Sequence, residues 1–276
     1  MTTPAFVSSL PRPAGRAALS GFTAVLRSEF CKVRSVRSTL WTLLGAVVSN
    51  VALGALVAVF LVSRLSAEQQ QTADPVRLSL IGLHLSQIAL GTLGVLIVTS
   101  EYGTGLIRAT LSAVPRRRSV LAAKAVVFAG IGLVVGVLSC VTAYLVFHAA
   151  LPAGTGSNLS RSLTSPGVLR AALGGGIYLT LLGLLGLGLG AALRSSAGAI
   201  AALLGLLFVP NILVGMLPDT WQNTVGPYLP MNAGDALYLL HPEPNGLSPA
   251  AGFGVLALYT VLALAAGFAV IHHRDA

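Results

Sequence analysis

Ser100 to Arg118 reads SEYGTGLIRATLSAVPRRR and stands between two long apolar runs, Leu78 to Thr99 and Val120 to Leu151. Each run matches the ~20 apolar residues that a helix needs to cross the hydrocarbon core of a bilayer. The polar-basic stretch between them is too short for a domain and reads as an elbow. Glu101 falls at the start of a short helix, where a negative charge is favoured by the helix dipole. Gly103 and Gly105 permit a tight turn. Leu106, Ile107, Thr110, Leu111 and Val114 then give the helix an apolar face. Pro115 ends it, and Arg116, Arg117 and Arg118 follow at the level of lipid phosphates. A plain tether needs neither the glycines nor the apolar face, so the pattern points to a docking segment outside the membrane.

Outward from this elbow the same reading repeats. Apolar runs cover about 40–62, 78–99, 120–151, 168–193, 197–217 and 250–271. They are continuous rather than alternating, which excludes a β-barrel. The expected fold is an all-α membrane protein with six transmembrane helices. Composition agrees: 55% of the 276 residues are hydrophobic and 9% charged, with a mean hydropathy of +0.84. A soluble domain carries roughly 25% charged residues. The net charge of +9 comes from Lys and Arg beside the spans. No basic stripe interleaved with aromatic residues is present, so nucleic acid is not an expected partner.

Residues 1–20 are rich in Pro, Ala and Ser and read as a disordered tail, with the membrane domain covering 21–276. Phe22, Leu26, Phe30, Val33, Val36 and Leu40 recur at steps of three and four, the period of a helix. Arg27, Lys32, Arg34 and Arg37 crowd its other surface. This predicts an N-terminal amphipathic helix lying in the headgroup layer, with membrane lipid as its partner. Orientation follows from the excess of Lys and Arg on cytoplasmic loops. With both termini cytoplasmic, Arg12, Arg16, Arg27, Lys32, Arg34, Arg37, Arg108, Arg116, Arg117, Arg118, Lys124, Arg194 and Arg274 lie inside. That leaves Arg64, Arg77, Arg161 and Arg170 outside. Pro218 to Pro249, with Trp221, Tyr228 and Tyr238, is the longest external segment. The GxxxG pairs Gly132/Gly136 and Gly186/Gly190 let backbones approach closely, within the chain or across a dimer seam.

Catalytic material is sparse. Lysines occur only at 32 and 124, and neither completes a Walker A phosphate loop. HExxH, CxxC and GxSxG are absent, and no carboxylate lies in mid-span. Cys31 and Cys140 do not form a disulfide framework or a metal site. No catalytic residue and no metal ligand is expected, and no cofactor in this chain. The polar residues within the spans are few. Asn50 lies in the first; His84 and Gln87 share a face of the second with Gly91 and Gly94; Asn211 follows Pro210 in the fifth. Such a face avoids lipid and looks into a cavity or another helix. Lys124 and Arg170 are expected to snorkel toward the headgroups.

The chain resembles an integral-membrane permease subunit of the ABC-2 type of ABC transporter, in its small actinobacterial form. The resemblance lies in Arg27-Ser28-Glu29-Phe30-Cys31-Lys32-Val33-Arg34-Ser35 before the first span and in Glu101-Tyr102-Gly103-Thr104-Gly105-Leu106-Ile107-Arg108-Ala109-Thr110-Leu111 after the second. Leu229-Pro230-Met231-Asn232-Ala233-Gly234 and the terminal His273-Arg274-Asp275-Ala276 continue it. Gly103 stands where the family often has an arginine. The resemblance implies a plasma-membrane permease, not an enzyme, that moves an unspecified substrate outward. Its partners would be a separate ATPase subunit, which carries the ATP and Mg, and a second permease subunit, identical or a sibling. It further implies that Glu101, Tyr102, Gly103, Gly105, Arg108 and Thr110 belong to the coupling helix. The interfacial helix with Arg27, Glu29, Lys32 and Arg34 would support it, and Asn50, His84, Gln87 and Asn211 would line the pathway. A membrane scaffold or sensor subunit that moves nothing is the alternative reading.

Overall fold

The structure is a computed structural model describing residues 14–103, 117–241 and 244–273. Among the described residues there are helices and no strands. Six helices among the described residues are long and apolar enough to cross a membrane: Arg37–Arg64, Leu83–Gly103, Ser119–Ala149, Val168–Leu193, Ser196–Gly215 and Pro249–His272.

The first helix, α1 (Ala14–Ser35), begins inside the stretch read as tail. Val36 is extended, with φ −84° and ψ 108°, and breaks the chain before α2 (Arg37–Leu56). A five-residue π turn (Val57–Leu61) and a 3-10 turn (Val62–Arg64) carry α2 on to the end of the first span. Two short helices follow. In α3 (Ala67–Thr72) Ser66 and Gln69 cap each other's backbone N–H groups. In α4 (Pro75–Ser79) the Asp74 carboxylate accepts from the N–H groups of Val76 and Arg77, and Pro75 sits at the first turn. The second span is α5 (Leu83–Gly103). It starts five residues later than the apolar run suggests, because Asp74-Pro75 seeds a separate helix ahead of it.

The remaining long helices are α6 (Arg117–Ala149), α7 (Val168–Leu193) and α8 (Ser196–Gly215). Two short helices, α9 (Asp219–Val225) and α10 (Pro230–Tyr238), precede α11 (Pro249–His273). The most buried of the six is α7, with α5, α6 and α11 packed against it; α8 is the least buried. Glycine makes this packing possible, since hydrophobic burial does not drive helices together in lipid and close backbone contact must do so. A methyl group added to Gly94 of α5 would collide with the Gly183 carbonyl of α7.

The GxxxG glycines pack within the chain. Gly136 lies against Gly176, Gly186 against Gly91 and Gly190 against Val95. The end of the bundle far from α1 is knitted by loops. Asp74 accepts a hydrogen bond from the Leu240 N–H at 2.7 Å. Asn158 donates to the carbonyls of Gln70 and Ala73. Arg170 reaches inward rather than snorkelling and donates to the carbonyls of Leu237 (3.3 Å) and Leu239 (2.7 Å) at the end of α10. Within the segment 218–249, α10 is tucked between α7 and α11, with Gly234 lying on the Tyr178 ring.

Candidate functional site

At the α1 end of the bundle, three helices bring four charges together. Glu29 comes from α1, Glu101 from the last turn of α5 rather than the start of a short helix, because the apolar helix of the span runs on through it, and Lys124 from near the start of α6, with Lys32 one turn after Glu29. The Lys124 Nζ donates to Glu29 Oε2 at 2.7 Å, to Glu101 Oε1 at 2.7 Å and to the Ile97 carbonyl at 3.3 Å. Its three protons are thereby placed. Lys32 closes the ring, donating to Glu29 Oε1 at 2.7 Å and to Glu101 Oε1 at 3.0 Å. The side chains of Lys124 and Glu29 are 4% and 3% exposed, Glu101 10% and Lys32 42%. Two ammoniums and two carboxylates leave the cluster neutral.

Lys124 therefore does not snorkel. A lysine near the end of an apolar run ordinarily extends to the headgroups; here two carboxylates on other helices offer a better partner. Burying unpaired ions costs several kcal/mol each, so the cluster holds only while its members stay together. It acts as a joint: α1 cannot leave the root of the elbow without separating buried charges. One atom is unmatched, since Glu101 Oε2 is buried without a hydrogen-bond partner. Burial pulls the Lys32 ammonium down, but its hydrogen bonds to Glu29 and Glu101 and their charges outweigh that, so its pKa lies above the usual lysine value. Its contribution to stability is thus fully present below that usual value and is lost only as pH rises through the elevated one.

Tyr102, the next residue, is half-buried. The Arg194 guanidinium lies over its ring, 5.4 Å from the centroid. Gly103 ends α5 and is exposed. Gly105, Arg108 and Thr110 lie outside the described residues. On α1, Arg27 and Arg34 are exposed and take no part in the cluster. Glu29 carries the connection instead.

The polar residues of the spans are placed differently from one another. Asn50 is fully buried and donates to Ser139 Oγ of α6 at 3.1 Å. Gln87 is fully buried and accepts a hydrogen bond from the Tyr178 hydroxyl of α7. Both bond to neighbouring helices, although Asn50 Oδ1 and Gln87 Nε2 have no partner. His84 faces the Ile81 carbonyl, in the turn just before its helix, at 3.3 Å, and Asn211 donates to the Leu207 carbonyl of its own helix at 3.0 Å. The four hydrogen bonds run to four different partners. Among the described residues no group of three His, Cys, Asp or Glu side chains gathers as a metal site requires.

Comparison of the sequence with protein-family models finds no match, and comparison with curated proteins finds none either.

Proposed function

We propose that this chain is the membrane-spanning permease subunit of an ABC-2 type transporter, driven by a separate ATPase. In this reading both termini and the α1 end face the cytoplasm, α1 lies along the inner headgroup layer of the plasma membrane, and the segment after Glu101 docks on the ATPase. The observation that carries the proposal is the buried Glu29–Lys124–Glu101 cluster. It joins the helix before the first span to the root of the elbow and to the start of the third span. A push on the elbow then reaches three helices at once. The sequence holds no phosphate-binding loop, so hydrolysis belongs to the partner.

The pathway would form between spans when two permease subunits, identical or siblings, assemble around a substrate. The exposed apolar residues of α2 and α8, among them Trp41, Val48, Val209 and Ile212, are available to lipid or to that second subunit. Purification of the tagged chain from its native membrane, with mass spectrometry of bound proteins and small molecules, tests the reading. An ATPase chain in stoichiometric amount is expected. Its absence from gently solubilised membranes, with the chain intact, would favour the scaffold or sensor reading instead.

A further inference from the structure

The root of the elbow is gripped on a second side, by a residue the cluster does not use. Arg194 follows α7 and adopts φ 53° and ψ 15°, the left-handed region that glycine ordinarily fills at a helix end. A bulky residue there carries backbone strain, so the side chain has a task that glycine could not perform. Its guanidinium lies over the Tyr102 ring and donates to the Val270 carbonyl, in the last turn of α11, at 3.1 Å. Beside it, Ser196 Oγ donates to Thr99 Oγ1 of α5 at 2.8 Å. Consecutive residues of α5 are thus held by different elements: Glu101 by α1 and α6, Tyr102 by the α7–α8 turn and, through it, α11.

We infer that Arg194 is a positioning residue that locks the inner ends of α5 and α11 into one moving unit. The inference rests on the proposed permease reading for its purpose, but its geometry stands alone. The planar guanidinium suits both tasks, because it stacks on an aromatic face while its edge donates to a carbonyl. A lysine has the charge without the plane. Under this arrangement the force entering at the elbow divides, the Glu101 branch acting on α1 and α6 and the Tyr102 branch acting on the end of the last span.

Spin labels test this directly. In a Cys31→Ser, Cys140→Ala background, labels at Gly103→Cys and Ala269→Cys report the separation of the two helix ends, with the purified full chain in lipid nanodiscs. With Arg194 present, a narrow distance distribution is expected. Arg194→Gly keeps the left-handed turn at no steric cost and removes the guanidinium; the distribution should at least double in width. Arg194→Lys should restore less than half of that loss. An unchanged width in Arg194→Gly, or full restoration by lysine, would overturn the inference. Adding ATP and vanadate to the native complex separates the two claims. A shift of the wild-type distance on addition supports the permease reading. No shift would count against that reading while leaving the lock to be judged on the widths alone.

Discussion

Replacing Lys124 by methionine keeps the length of the side chain and removes its charge. The Lys124 side chain is 4% exposed and its ammonium contacts both carboxylates at 2.7 Å. Without it, Glu29 and Glu101 share one remaining cation, Lys32, which is 42% exposed. Breaking a buried ion pair by removing one partner costs about 3–5 kcal/mol, and Lys124→Met is expected in that range. Lys32→Met removes a screened charge from the same ring and should cost about 1 kcal/mol or less. Glu29→Gln in the Lys124→Met background returns the ring to one cation and one anion. Residues in one ion network couple by roughly 0.5–3 kcal/mol, so the double variant should be more stable than the sum of its single changes by that amount. Reversible unfolding in mixed micelles, followed by the loss of helical circular dichroism, gives all four values. A cost below about 1 kcal/mol for Lys124→Met, or additive single changes, would show that the four charges do not act as a buried unit.

Three further outcomes follow from the packing and the proposed role. Gly94→Ala forces a methyl group onto the Gly183 carbonyl and should cost about 1–3 kcal/mol, whereas Gly205→Ala, where nothing lies within 4 Å, should gain up to ~1 kcal/mol; thermal unfolding in detergent separates them, and equal effects would contradict the close α5–α7 approach. Tyr178→Phe strands the Gln87 amide and should destabilise by about 1–3 kcal/mol. The Tyr178→Phe, Gln87→Leu double variant removes both buried polar groups and should be milder, which the same unfolding assay reads. Arg108→Ala should insert normally and lower transport relative to ATP hydrolysis in reconstituted complex; unchanged transport would remove that residue from the coupling role.

Much of the fold was legible because a membrane imposes a single length on apolar helices. The runs at 168–193 and 197–217 agree closely with α7 and α8, separated only by Arg194 and its capping neighbour Ser195. The apolar run beginning at Leu78 misplaced the start of α5, since the last two residues of the short capped helix α4, Leu78 and Ser79, lead without a charge into the apolar sequence that follows. The candidate site was half legible. Glu101 stands out as an acid at the margin of a span, but nothing local marks its partners, which lie 23 and 69 residues away in Lys124 and Lys32. Lys124 alone in an apolar stretch has the pattern of a snorkelling residue. Only the crossing of α1, α5 and α6 turns it inward. Arg194 was legible as a charge in a tight turn; its left-handed backbone and its place over Tyr102 depend on how α7 and α11 end.

The central claim is that the cluster around Glu101 carries work from a partner ATPase into the spans. Its most direct test compares phosphate release with transport in proteoliposomes of the native complex, using the small molecule that copurifies with it. For Glu101→Ala, hydrolysis should persist at half or more of the wild-type rate while transport per ATP falls at least tenfold. Transport per ATP equal to wild type, with the cluster broken, would contradict the account.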